Sequence, residues 1–238
     1  MPEFIHSGEE KKQYVQEMFE DVSHRYDFLN HFLSFGLDFY WRKKLVQFLE
    51  LEPGHGVLDV ATGTGDVVFE MLKKHDVYVF GLDFAFNMVN IATEKATKMK
   101  HLKNVYFLQG DGESLPFPDH SFDRLTISFG FRNIGHYEKA LKEFQRVLKP
   151  DGQLAILEFS EPRSKIFNVL YQFYFKHILP KLGALLSRAD AYRYLPESVA
   201  YFPPRQNICN LMISSGFQKA EVYDLTFGIC SIFIGYNS

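Results

Sequence analysis

The sequence predicts an α/β fold, a doubly wound parallel sheet with helices on both faces. Three observations predict it. Between Val57 and Phe159, short apolar runs alternate with segments whose apolar residues recur every three or four positions, the pattern of successive βαβ units. The first run, Val57-Leu58-Asp59-Val60-Ala61, passes directly into Thr62-Gly63-Thr64-Gly65-Asp66. That is a buried strand followed by a small-residue loop and the start of a helix. The next two runs end in acids, at Asp83 and, after a short polar stretch, at Asp111.

The elements follow in order. Val15, Met18, Phe19, Val22, Tyr26 and Leu29 place an amphipathic helix over Tyr14 to Phe35, ended by Gly36. A second helix, Phe39 to Leu49, carries the only tryptophan, Trp41, and Pro53-Gly54 turns the chain into the first strand. Strands are expected at 57–61, 77–83, 105–108, 122–129 and 154–159. Helices are expected at 66–74 and 87–100 and along the face Tyr137, Ala140, Leu141, Phe144, Val147 and Leu148, with a turn at Lys149 to Gly152. Ile166 to Leu186 interrupts the alternation. It is apolar and aromatic, but Lys176, Pro180 and Lys181 break it. A membrane span wants about 20 apolar residues with few charges, so two helices capping the cofactor side are expected instead. A helix from Gln206 to Ser215 and two antiparallel strands, 220–226 and 229–236, close the chain. The organisation expected is one domain over 1–238: a helical cap (1–52), an α/β core (53–160), an inserted helical lid (161–204) and a C-terminal helix with strands (205–238).

A net charge of −3 argues against a general nucleic-acid binder. Cys209 and Cys230 show no metal spacing, so no metal site is expected and packing in a reduced compartment is. The N-terminal residues have neither a signal-peptide nor a transit-peptide pattern, which points to a bacterial-type cytoplasm. Twenty-five Phe and thirteen Tyr supply either a core or a pocket for a flat apolar substrate.

Ligands of such sheets sit outside the carboxyl ends of the strands. The dinucleotide fingerprint GxGxxG is incomplete: after Gly63 and Gly65 the third glycine is Val68, and Asp66 stands where a pyrophosphate would approach. This disfavours a nicotinamide oxidoreductase and favours a phosphate-free cofactor with a positive centre. S-adenosyl-L-methionine fits. Asp83 is placed to accept the ribose hydroxyls and Asp111 the adenine amino group, with Gly112 leaving room for the ring. Asp59 and the Thr64 region are placed to orient the amino acid end.

VLDVATGTGD, GLDFAFNM, GDGESLPFPDHSFD and EFQRVLKPDGQLAILEFSEP resemble the successive motifs of class I S-adenosylmethionine-dependent methyltransferases. YDFLNHFLSFG, YWRK, TISFGFRN, ILPKLG and DAYRYLPESV are similar to the quinone-ring C-methyltransferases of menaquinone and ubiquinone biosynthesis, in order over Tyr14 to Tyr236. The resemblance implies a Rossmann-like, seven-stranded, mostly parallel sheet with its last strand antiparallel. It implies cofactor contacts at Thr64, Asp83, Asp111, Gly112 and Ser128, and methylation of one ring carbon of a prenylated quinol, with demethylmenaquinol favoured over the ubiquinone-pathway methoxy-benzoquinol. Thr62, where many relatives carry a further glycine, and Asp111-Gly112 depart from the pattern.

Such chemistry needs the ring hydroxyl deprotonated. Arg132 is expected to stabilise the phenolate and Asn133 to orient it. Tyr26, Asp27, His177 and Tyr192 or Tyr194 are the candidates for moving the proton. Phe167, Leu170, Phe173, Tyr174, Ile178 and Leu179 are the candidate lining for the tail, and the same segment is a candidate for peripheral contact with the inner face of a membrane. A homodimer is compatible with the sequence. The rival readings are a methyltransferase for another phenol, a sterol or an oxygen, and an inactive S-adenosylmethionine-binding regulator.

Overall fold

The computed structural model describes residues 7–23, 26–99, 103–178 and 189–237. Seven strands form one sheet: β1 (Gly56–Val60), β2 (Tyr78–Asp83), β3 (Val105–Gln109), β4 (Phe122–Ser128), β5 (Leu148–Phe159), β6 (Lys219–Leu225) and β7 (Cys230–Tyr236). Their order is β3-β2-β1-β4-β5-β7-β6. The first five are parallel, and β7 runs antiparallel to both β5 and β6. The strand order reverses between β1 and β4, which pair directly from Val57↔Arg124 to Val60↔Ile127.

Alternation along the strands builds two cores. Leu58, Val60, Leu125, Ile127, Leu154 and Ile156 face one way, against Phe144 of α6 (Tyr137–Val147) and Ile208 and Met212 of α9 (Arg205–Ser214). Val57, Val79, Ala155, Leu157, Ile232 and Ile234 face the other, against Trp41 and Leu45 of α3 (Leu37–Phe48) and Val68 and Met71 of α4 (Asp66–Leu72). Helix α5 (Phe86–Lys98) follows β2 and buries Met88, Val89 and Ala92.

The N-terminal span expected as one helix forms two, α1 (Gly8–Val22) and α2 (Tyr26–Leu33), with 24–25 outside the described residues. Gly36, at φ +74°, lets its amide return 2.8 Å to the carbonyl of His31, a left-handed stop that a residue with a Cβ resists. Strand β5 starts six residues earlier than expected. The turn at 149–152 lies inside it as an irregularity, where the pairing jumps from Phe122↔Leu148 to Arg124↔Gln153. The interrupting segment forms α7 (Lys165–Phe173), continued by a π-helical turn, Tyr174–Ile178. Residues 179–188, which include Leu179 and most of ILPKLG, lie outside the described residues, and α8 (Ala189–Ala200) follows them.

Candidate active site

A cavity opens at the carboxyl ends of β1 to β4, where the strand order reverses. Gly63, Asp83, Asp111, Gly112, Ser128 and Asn133 line it together with Phe84, Met88 and Ile134. Helix α1 closes it with Lys12, Gln16 and Phe19. The loop after β1 turns through Ala61, Gly63 and Gly65, all at positive φ (50°, 56° and 91°).

Asp83 anchors that loop. Its Oδ2 accepts the Gly63 amide at 2.7 Å and its Oδ1 the Ala85 amide at 2.9 Å. Burial pushes its carboxyl up to about 6, against those amides. Asp111 accepts the Glu113 amide at 2.8 Å and the Lys12 ammonium at 2.7 Å. The Ser128 Oγ is buried at the cavity wall with no partner among the described residues. A buried hydroxyl without a partner is costly unless a ligand supplies one. Two carboxylates, one orphaned hydroxyl and an apolar slot of Phe84, Met88 and Ile134 fit a nucleoside with hydroxyl and amino donors.

Three residues expected to touch the cofactor lie outside that cavity. Asp59 is buried beneath the loop, accepting Thr62 Oγ1 at 2.7 Å and Thr126 Oγ1 at 2.6 Å, and burial raises its carboxyl to about 6. It braces the loop against β4. The Thr64 hydroxyl donates to Asp27 and accepts from Lys95 Nζ at 2.9 Å. A Cβ on Gly65 would sit 2.9 Å from the Phe69 ring, so this glycine serves packing. Asp66 is also displaced from its expected place. It faces Arg42 Nη2 at 3.6 Å and Lys95 Nζ at 3.4 Å, outside the cavity. The acids that would repel a pyrophosphate are Asp83 and Asp111.

A second, larger cavity adjoins the first. Phe19, Tyr26 and Phe129 line both and form the wall between them. Most of its remaining lining is apolar: Met18, Val22, Leu33, Trp41, Phe159, Phe167 and Ile229. Into it faces Arg132, buried on the 3₁₀ turn Phe131–Asn133. One of its terminal nitrogens donates to the Phe129 carbonyl and, at 2.8 Å, to Glu158 Oε1. Its Nε is buried with no partner among the described residues. Burial works against its charge, but Glu158, with Tyr26 and Tyr194 behind it, outweighs this and raises its pKa further, so it stays protonated. Lys11 fastens the same turn to α1, donating to the carbonyls of Arg132 and Ile134 at 2.7 and 2.8 Å. Asn133 faces the first cavity, and its Oδ1 accepts the Tyr194 hydroxyl at 3.1 Å.

The structure brings Arg132, Tyr26, Tyr174 and Tyr194 to the second cavity. Burial raises the Tyr26 hydroxyl pKa, while Arg42 and Arg132 pull the other way. Asp27 is on neither wall. It pairs with Lys95 and Thr64, pinning α2 to the glycine loop. His177 and Phe173 are exposed and tilt against each other at 5.3 Å, away from both cavities. Ile178 is exposed as well. The side chains of Tyr192 and Leu170 lie outside the described residues.

Sequence reasoning missed several participants. Asp38 and Arg42 line the second cavity from α3. The Asp38 carboxylate accepts from Arg42, from Ser34 Oγ at 2.7 Å and, across a 2.6 Å contact, from His31 Nδ1. Burial works against its charge, but Ser34, Arg42 and His31 hold its carboxyl below the usual range. Glu158 was missed because an acid inside an apolar strand reads as an edge residue, and Tyr171 because it was taken with its helix. The Asp38–Arg42 spacing of i, i+4 was available as a signal.

A model of the ubiE/COQ5 methyltransferase family matches residues 7–237. The chain is 46% identical over 222 residues to the demethylmenaquinone methyltransferase of Thermus thermophilus, covering 92% of this chain and 99% of that one. It is 43% identical over 228 residues to the ubiquinone/menaquinone biosynthesis C-methyltransferase of Geobacter sulfurreducens, covering 95% and 89%. A solved SAM-dependent methyltransferase from Aquifex aeolicus matches with a TM-score of 0.63 at 23% identity, over 85% of this chain and 92% of that one. At that identity the likeness speaks for the fold.

Proposed function

The chain belongs to the ubiE/COQ5 methyltransferase family, and from that membership we infer that it is an enzyme methylating a ring carbon of a prenylated quinol with S-adenosylmethionine. The reaction is demethylmenaquinol to menaquinol, with the methoxy-benzoquinol of the ubiquinone pathway as a second candidate acceptor. The observation that carries this reading is the pair of cavities with a common wall of Phe19, Tyr26 and Phe129. One sets Asp83, Asp111 and Ser128 around an apolar slot and fits a nucleoside. The other is larger and apolar, with one unsatisfied guanidinium nitrogen at its floor. A regulator that only bound the cofactor has no use for the second.

When bound, S-adenosylmethionine supplies an electrophilic methyl group on a sulfonium. Asp83 and Asp111 would hold its hydroxyl and amino donors, and Ser128 Oγ would regain a hydrogen-bond partner. Arg132 cannot act as a base, because it stays charged. Its role is to hold the negative charge that grows on the quinol oxygen as the proton leaves, an interaction of about 2.7–4 kcal/mol for a preorganised donor. Asn133, fixed by Tyr194, borders the donor cavity one residue away, on the cofactor side of the transfer. Among the described residues lining the acceptor cavity, Asp38 is the only carboxylate. Against its burial, Ser34, Arg42 and His31 hold its carboxyl below the usual range, so it takes the hydroxyl proton only as Arg132 stabilises the phenolate, and it releases that proton readily to solvent beside the partly exposed His31 ring. The neighbouring ring carbon takes the methyl group, and loss of its hydrogen as a proton restores the aromatic ring.

Methyl-labelled S-adenosylmethionine and demethylmenaquinol, incubated with the purified protein, test this. Label appearing in menaquinol is the expected result. Tight cofactor binding without transfer to any prenylated quinol would overturn it in favour of a binding protein.

A further inference from the structure

The opening of the acceptor cavity is rimmed by apolar surface that no part of the described fold covers. Helix α2 buries Leu29 and Leu33 and presents a second apolar face to solvent. Phe28, Phe32 and Phe35, spaced i, i+4, i+7, are 61%, 49% and 79% exposed, and the rings of Phe28 and Phe32 stack at 5.8 Å. Helix α7 repeats the design. Phe167 and Tyr171 line the cavity, while Ile166, Val169 and Phe173 on its other face are each more than half exposed.

The two helices meet at the opening. The Tyr174 hydroxyl donates to the Leu33 carbonyl at 2.7 Å, and the Phe35 and Tyr174 rings lie 5.9 Å apart. Exposed Phe39 continues the surface from α3, stacked on His31 at 4.2 Å, and exposed Phe227 stacks on Phe167 at 4.2 Å. Scattered exposed apolar side chains are ordinary, but contiguous stripes on both sides of one opening are not.

Cations outnumber acids around these stripes, although Arg163 pairs with Asp224 at 2.6 Å and Glu161 is exposed beside it. In residues 163–178 there are Arg163, Lys165 and Lys176 and no acid. In residues 26–48 the two acids are turned inward, Asp27 onto Lys95 and Asp38 onto Arg42, while Lys43 and Lys44 follow Phe39 and Tyr40 on α3. This occurs in a chain whose net charge is −3. Aromatic stripes flanked by lysines suit the boundary between headgroups and acyl chains of an anionic bilayer. Among the described residues no helix is long and apolar enough to cross a membrane, so such contact is interfacial.

We propose that the outer faces of α2 and α7 form a docking face for an anionic bilayer surface, which sets the cavity opening on the membrane so that a lipid acceptor enters from the bilayer. The proposal deepens the quinol reading and rests on it for what enters the cavity. Docking itself is measured without any quinol.

The test is sedimentation of the full chain with vesicles of phosphatidylglycerol and phosphatidylcholine, beside vesicles of phosphatidylcholine alone. The wild-type protein is expected to bind the anionic vesicles at least tenfold more tightly. The triple variant Phe28→Asp, Phe32→Asp, Val169→Asp, none of which lines either cavity, is expected to lose at least tenfold in that binding. Ile213→Asp, an exposed position on α9, is expected to keep it. Activity of the triple variant on a quinol without a tail stays at the wild-type level, while activity on quinol embedded in vesicles falls about tenfold. Equal sedimentation of wild type and triple variant overturns the proposal. So does a wild-type dimer that the triple variant converts to monomer without a change in vesicle binding, since the face is then an interface between two copies. Vesicle binding that depends on these residues in a protein that methylates no quinol leaves docking standing and removes the quinol reading.

Discussion

Arg132→Met separates a catalytic cation from a structural one. Arg132 and Glu158 form a buried pair at 2.8 Å, with Glu158 fully buried. Removing one partner leaves a carboxylate without compensation, a cost of about 3–5 kcal/mol. For a chain of this size each 1 kcal/mol lowers Tm by roughly 2–4 °C, so a drop of about 6–20 °C is expected. Total stabilities of domains run about 5–15 kcal/mol, so the variant is assayed well below its new midpoint. Loss of a preorganised donor to a developing oxyanion lowers kcat by about 10²–10³-fold. Arg132 lines the acceptor cavity and not the donor cavity, so S-adenosylmethionine affinity by calorimetry stays within about twofold. The control is Glu158→Gln in the same background. It removes the stranded charge and keeps an acceptor for the Phe159 amide, which Glu158 now holds at 2.8 Å. Most of the lost Tm is expected to return while kcat stays low. If turnover returns with stability, or if cofactor affinity falls as far as kcat, Arg132 is a structural residue and the assignment is wrong.

Asp83 makes cofactor binding pH-dependent. Its carboxyl titrates at about 6 because it is buried, whereas hydroxyl donors bind the ionised form, so binding must release a proton below that pH. Affinity is therefore constant above about 6.5 and falls about tenfold per unit below 6. Calorimetry between pH 5 and 7.5 checks this, and a flat profile excludes Asp83 as the acceptor. Asp83→Asn is expected to weaken binding by about 1.5–3 kcal/mol, the range for a hydrogen bond to a charged group. Asp27→Ala frees α2 from Lys95 and Thr64. The pair is partly exposed, so Tm falls only by the few degrees that about 1 kcal/mol provides, but cofactor affinity drops several-fold because α2 carries Tyr26, part of the common wall. An unchanged affinity would make that strut irrelevant to the site. Asp38→Asn is expected to lower kcat on a tail-less quinol by about 10²-fold; wild-type turnover would remove Asp38 and His31 from the proton path.

The donor half of the site was legible because it is local. One strand, one loop and the acids after the next two strands follow from hydrophobic runs and glycines, and the sheet holds Asp83 and Asp111 where the pattern puts them. What the pattern missed was direction. Asp59 and Asp66 stand beside the same loop, but strand alternation turns Asp59 under it, and the turn of α4 aims Asp66 at Arg42 and Lys95. Neither is visible without the neighbouring elements. The acceptor half was less legible for a related reason. Its polar members come from α2, α3, the turn after β4 and β5, far apart in sequence. Arg132 was found from its position at a strand end, whereas its partner Glu158 reads as part of an apolar strand. Phe173 was credited to the tail lining because its segment is aromatic, but α7 has two apolar faces and Phe173 belongs to the outer one; His177, a candidate for moving the proton, follows on the π-helical turn and is exposed.

That double-faced packing also accounts for part of the aromatic surplus. A core alone needs one apolar face per helix, and α6 and α9 meet that pattern. Helices α2 and α7 do not: each turns one apolar face to the acceptor cavity and one to solvent. Rings thus lie where the chain handles an apolar ligand as well as where the sheet is packed, as in the cluster of Phe80, Tyr106, Phe117 and Phe122. Helix α1 links the two halves. Lys12 and Gln16 face the donor cavity, Met18 and Val22 the acceptor cavity, and Phe19 both. Since α1 and α2 supply wall to each cavity, neither cavity is complete until these two helices are seated on the sheet. Lys11 to the Arg132 carbonyl and Asp27 to Lys95 are two of the bonds that seat them. Substitutions at those struts should therefore disturb donor and acceptor binding together, whereas substitutions at Asp83 or Arg132 disturb one.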